Sequence, residues 1–278
     1  MNFTVIQRFL FETPTPLLWI SVFVALVAAY VFGSWLKGRV GSPPPPEEKD
    51  NEANFDGYII SGVVGLLALL MGFTFSLAVD RFDTRRVMVI EESNAIGTTY
   101  LRAQTFAEPH RGELSRLLKQ YVDVRLAVAQ TTDIARAERL LAQSDALQAS
   151  LWAATIAAIA PQRDDVASSF METMNSTIDI AAARKAARLA HVPQRVFGVL
   201  FAYMIMTAGV MGYVIAARRR GAVLTLLALL TVSFMLIIDI DSPNRGRVRE
   251  SQAGMAELKA FIAAHPSESF GTLAGAAR

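Results

Sequence analysis

The sequence contains no cysteine, so disulfides, thiolate nucleophiles and thiolate metal sites are excluded. Histidine is nearly as scarce: His110, His191 and His265 stand far apart with no ligand-like spacing, and read as scattered surface residues. Charge is sparse too, at 19% of residues. The net charge of +2 leaves no basic field for gripping nucleic acid, although a small arginine excess lifts the pI to about 9.0. Also missing are a phosphate-cradling glycine loop, a metal-ligand motif and a nucleophile beside a base. No catalytic residue, metal or cofactor is therefore assigned, and an enzyme is the least supported class. Strand signals are absent as well.

What is present is apolar. Hydrophobic residues make up 53% of the chain and mean hydropathy is +0.34, too oily for an ordinary soluble domain. Four uncharged runs approach the ~20 residues needed to cross ~30 Å of hydrocarbon as helix. They cover residues 16–36, 57–79, 196–217 and 221–240. The first carries Trp19, Tyr30 and Trp35 near its ends, where aromatic rings prefer the interface. Lys37 and Arg39 follow it directly, unlike the small-residue cleavage site of a signal peptide, so this run is expected to be retained after the N-terminal segment 1–15. Between the first two runs, residues 37–56 hold Pro43 to Pro46 and then an acidic stretch, which reads as an exposed extended linker. The last two runs are separated only by Arg218, Arg219 and Arg220, a basic turn of a tight helical hairpin.

Residues 80–195 read as a helical domain inserted between the second and third crossings. Basic residues at the ends of the crossings place this domain and both termini in the cytoplasm, with the Arg218 to Arg220 turn running against that orientation. Asp80 to Phe106 has no proline and an isolated Gly97, so the second crossing is expected to continue as helix beyond the membrane. A helix after Pro109 repeats Leu114, Leu117, Leu118, Tyr121, Val122, Val124, Arg125 and Val128 at a period near 3.6. Asp133 is a cap for a helix ending at Pro161, and Asp164 starts another with Arg184, Lys185 and Arg188 in its last turns, the sense the helix dipole favours. The fold class is thus an all-α integral membrane protein with four transmembrane helices, a cytoplasmic helical insert and a C-terminal tail at 241–278.

Polar residues in the second run's extension allow two readings. Glu91, Thr98 and Arg102 fall at i, i+7 and i+11 on one helix face, Asn94 lies between them, and Asp123 and Arg125 in the next helix supply partners. The group either lines an anion vestibule or forms inter-helix salt bridges and hydrogen bonds inside a bundle. Asp239 and Asp241 stand where the fourth crossing leaves the membrane, a depth at which carboxylates need a reason. One reading is a cation site. The other is that Asp241 or Ser242 caps a helix starting at Pro243, with Arg245, Arg247 and Arg249 pairing with the carboxylates or with lipid phosphates.

Several segments carry a resemblance. Gly72, Phe73, Thr74, Phe75, Ser76, Leu77, Ala78, Val79, Asp80, Arg81 and Phe82 resemble the second transmembrane helix of bestrophins. With Glu91 to Arg102, the Tyr121, Val122, Asp123 run and Asp239 to Gly246, the chain from Gly57 onward is more similar still to the bestrophin-like family of bacterial membrane proteins. Bestrophins are pentameric chloride channels with a hydrophobic neck on the second helix. The resemblance therefore implies a homo-oligomer, a pentamer, in the bilayer of a bacterial inner membrane, passing small anions of the chloride type. By position it assigns the neck to Gly65, Leu69 and Phe73, one turn apart on a single stripe, with Gly65 departing from the bulky pattern. Small residues there also suit close helix packing, as do Ala68, Gly72 and Ser76, or Ala208, Gly212 and Ala216 in the third run. The calcium-binding acidic run of bestrophins is not matched, since only two spaced aspartates precede the arginines. The alternative function is a non-conducting scaffold or sensor whose helical domain binds a partner.

Overall fold

The computed structural model of the chain describes residues 15–40, 49–131, 133–161, 164–215, 220–242 and 248–270. The proline run, Arg218, Arg219 and the expected helix start at Pro243 lie outside the described residues. Every element among those described is helical: α1 (Thr15–Val40), α2 (Lys49–Ala103), α3 (His110–Gln130), α4 (Ile134–Ile159), α5 (Asp165–Leu189), α6 (Gln194–Val214), α7 (Arg220–Asp241) and α8 (Ala253–Ala264). Four helical stretches, Pro16–Arg39, Phe55–Ala103, Asp165–Val214 and Arg220–Asp241, are long and apolar enough to cross a membrane by length and composition. In the third of these the α5–α6 turn intervenes, and the apolar residues belong to α6.

α2 is one uninterrupted helix of 55 residues. At 1.5 Å per residue it is about 80 Å long. It begins at Lys49, ahead of the apolar run at Gly57, because no helix breaker follows the prolines before that run. Its continuation to Ala103 is the one expected from the absence of proline.

Two compact units result. The first holds α1, α2 up to Arg81, α6 and α7. α1 lies chiefly along α6, with glycine letting the two backbones touch. A Cβ at Gly212 would stand 1.9 Å from the Tyr30 carbonyl oxygen, and one at Gly33 would stand 2.0 Å from that of Gly209. Ser34 Oγ donates to the Gly212 carbonyl at 3.0 Å, and Ala208 is fully buried. Without a hydrophobic drive between helices in lipid, such backbone approach and interhelical hydrogen bonding hold the pair together.

The second unit holds α2 from Phe82, then α3, α4, α5 and the segment from Arg249, so the chain after α7 is more than a tail. Met255, Leu258 and Ile262 of α8 join Ile96, Tyr100, Leu114, Leu118, Tyr121, Leu151 and Phe170 in one core. All eight α3 positions expected on its apolar face are buried. In α4 Leu151 is fully inside, while Leu140, Leu141, Leu147 and Trp152 are half-buried. Asp133 caps α4 by accepting from the Arg136 amide at 3.0 Å, and Asp164 caps α5 from the Ala167 amide at 2.9 Å.

Gly212→Ala is expected to lower stability by about 2 kcal/mol, because the new methyl meets backbone that cannot give way without separating α1 from α6. Gly65→Ala, whose Cβ meets nothing within 4 Å, should leave the protomer's stability unchanged or raise it by up to about 1 kcal/mol. Thermal melting in detergent compares the two, and equal midpoints would refute the glycine contact as a stabilising feature.

Candidate functional site

Along the apolar stretch of α2, Leu67, Met71, Thr74 and Ala78 are buried at i, i+4, i+7 and i+11, one narrow face. The Thr74 hydroxyl donates to the Leu70 carbonyl at 2.8 Å, so it is satisfied within its own helix. Ile60, Val63, Val64, Leu70 and Val79 are half-buried, and the remaining circumference is bare. Leu69 is 53% and Phe73 62% exposed, and a Cβ at Gly65 or Gly72 would have open space. The three neck candidates thus share a face that the rest of the protomer leaves uncovered.

Further along α2 the side chain that organises the second unit is Glu92, fully buried. Arg125 of α3 approaches it with Nε at 2.7 Å from Oε1, and Arg184 of α5 forms an ion pair with Oε2. Tyr121 donates its hydroxyl to Oε1 at 3.3 Å while accepting from Gln148 Nε2 at 2.9 Å. Burial works against the Arg125 charge, but the Glu92 carboxylate with Tyr121 outweighs it and the guanidinium pKa rises. Burial raises the Tyr121 phenol pKa, with Arg125 opposing, so the hydroxyl stays protonated and able to donate. The cluster extends to the C-terminal segment: Arg184 Nη2 donates to Gln252 Oε1 at 2.9 Å, and Arg85 pairs with Glu250 at 2.7 Å. One carboxylate thereby ties α2, α3 and α5, and its arginine reaches the approach to α8.

Comparison with known proteins identifies the architecture. Residues 24–254 match the family described as Bestrophin-like domain. The chain belongs to the bestrophin-like family. A crystal structure of a bacterial bestrophin homologue from Klebsiella pneumoniae, in a mutated form, superimposes with a TM-score of 0.62 at 11% sequence identity, covering 91% of this chain and 97% of that one. At that identity the likeness is one of fold. Among curated proteins, no sequence matches this chain.

In this bestrophin-like chain the polar residues singled out from sequence separate into different environments. Glu91, Asn94 and Thr98 are exposed rather than joined in an internal network. Asn94 and Thr98 instead line an open groove of about 750 Å³ between α2 and α8, together with Arg86, Ile90, Glu257 and Phe261. Arg102 turns away and donates to the Ser169 carbonyl of α5 at 2.7 Å. Asp123 pairs with Lys259 of α8 at 2.7 Å, and only Arg125 of the expected group belongs to the Glu92 cluster. The physical reason is register. Glu92 falls in phase with buried Val89, Ile96 and Ala103, whereas Glu91 shares the outer face with Asn94 and Thr98. That phase was readable from the apolar spacing, but nothing in the sequence paired Glu92 with Arg184, which sits in the expected dipole-compensating position yet is buried.

The membrane-exit carboxylates also differ from one another. Asp241 is fully buried and its Oδ1 accepts from the Val192 amide at 2.9 Å, while its backbone oxygen lies 3.0 Å from His191 Nδ1. It pins the turn that leads into α6. Asp239, earlier on α7, is half-buried.

Replacing Glu92 by Gln leaves two buried guanidinium groups short of a counter-charge and is expected to cost about 3–5 kcal/mol. Glu91→Gln, on the exposed face, should stay within about 0.5 kcal/mol. Denaturant titration in detergent, followed by circular dichroism, distinguishes them; similar midpoints would contradict the central role of Glu92.

Proposed function

We propose that this chain assembles as a homo-oligomer, a pentamer, around α2 and passes small anions of the chloride type along an axial path through the bacterial inner membrane, with the second unit in the cytoplasm. Gly65, Leu69 and Phe73 form the neck of that path. The supporting observation is the bare face of α2. A helix that buries only one narrow face within the four-helix first unit leaves surface for neighbouring copies, for a lumen, or for lipid. At about 100° per residue, Gly65, Leu69, Phe73 and Ser76 fall within about 80° of arc on the bare face. Leu69 and Phe73 side chains contributed by several copies would suit a dewetting constriction. The bestrophin fold supports the same assignment by analogy.

The groove between α2 and α8 favours a second reading, a scaffold or sensor whose helical domain receives a partner. Its mixture of Arg86, Glu257, amide and hydroxyl groups is of the kind that recognises another molecule.

Chloride flux from proteoliposomes discriminates the readings. Phe73→Ala and Leu69→Ala widen the constriction and are expected to raise flux several-fold above wild type, because the dewetting barrier falls. Purified particles should show a closed ring with cyclic symmetry. Flux equal to that of empty liposomes in wild type and both variants, or strictly monomeric particles, would overturn the channel and leave the scaffold reading.

A further inference from the structure

α1 carries exposed tryptophans near both ends, Trp19 and Trp35. Sixteen residues of helix set their Cα atoms about 24 Å apart along the axis, a spacing that fits the two interfaces of a hydrocarbon layer about 30 Å thick. Arg39 follows Trp35 by one turn and so stands about 6 Å further out, at the level of lipid phosphates.

The side chains around Arg39 form a graded series on one face of α1. Phe32 stacks on Trp35 with ring centroids 5.7 Å apart, and the Arg39 guanidinium carbon sits 5.0 Å from the centroid of the Trp35 ring. Phe32 is 60% and Trp35 50% exposed, so the series faces outward. The nearby Lys37 is occupied in a different task, donating Nζ to the Val214 carbonyl at the end of α6 at 3.3 Å. Neither α1 nor α6 contains an acidic residue, α7 carries its two at the far end, Asp239 and Asp241, and α2 carries Asp50, Glu52 and Asp56 in its first turns. Among the described residues, no carboxylate pairs with Arg39. Arg220 adds a second positive charge at the start of α7, a helix that packs against α1.

We propose that Phe32, Trp35 and Arg39 form a saturable seat for an acidic glycerophospholipid, the arginine fork engaging its phosphate and the two rings receiving the upper acyl chain. The indole holds the guanidinium at a defined depth, which reduces the freedom the side chain would lose on binding. Two parallel N–H donors match two phosphate oxygens. Arg39, with no carboxylate paired to it among the described residues, and Arg220 favour an acidic headgroup over a zwitterionic one. This inference does not depend on conduction.

The test uses the full chain, purified in mild detergent and titrated with phosphatidylglycerol or phosphatidylcholine in mixed micelles, with retained lipid counted by native mass spectrometry. Phosphatidylglycerol should saturate and exceed phosphatidylcholine by about three-fold or more. Arg39→Gln should reduce it to the phosphatidylcholine level, Arg39→Lys should retain part, and Trp35→Leu supplies an independent loss should the first variant fail to fold. Equal retention in wild type and Arg39→Gln would overturn the seat, as would equal retention of the two lipids. Displacement by millimolar inorganic phosphate would reassign the chemistry to a free anion and overturn the lipid. Retention that emerges only when Glu47 and Glu48 are changed to Gln would give Arg39 to the acidic linker instead, and would overturn it equally.

Discussion

An α-helix satisfies its backbone hydrogen bonds within itself, and this constraint makes α2 possible as a single element. Fifty-five residues run without a break through an apolar stretch and then through a stretch rich in polar side chains. Because the backbone needs nothing from its surroundings, side chains alone decide what each level of the helix touches. Leu67, Met71 and Ala78 do so by packing, Glu92 by charge, and Gly65 and Gly72 by leaving space.

The two units solve the problem of holding helices together by opposite means. In the first, bulk is removed at the closest approach: Gly33 and Gly212 bring backbone against backbone, and Ser34 donates across the contact. In the second, a charge is buried and then surrounded. Glu92 has no exposed surface, so it requires compensation from Arg125, Arg184 and Tyr121 before it can contribute anything. The first arrangement tolerates little added volume. The second tolerates little lost charge. An ion pair of this kind is weak support for stability in itself, but it is selective about partners, since a shift along α2 that put Ser93 in the place of Glu92 would strand both guanidinium groups.

Membership of the bestrophin-like family and the match to a bacterial bestrophin homologue explain why the architecture takes this form without transferring an activity. What α2 can do depends on which of its surfaces remain uncovered and on what chemistry they display. The outward series on α1, by contrast, concerns the solvent in which the protein sits. An arginine held over an indole at the end of a helix is a feature of depth, and it would serve any oligomeric state.

Residue order alone specified the helical class, the four apolar helices, the continuation of α2 to Ala103, the caps at Asp133 and Asp164 and the buried face of α3. These follow from spacing and local hydrogen bonding, which act within a few positions along the chain. Packing between distant helices settled that Arg184 is the partner of Glu92 across 92 positions of sequence, and that the chain after α7 returns to complete the second core. It also settled that Asp241 accepts from the backbone of the turn before α6. The reason is common to all of these: a charged side chain near an apolar face is equally consistent with a solvated edge and with a buried pair until the opposing helix supplies the counter-charge.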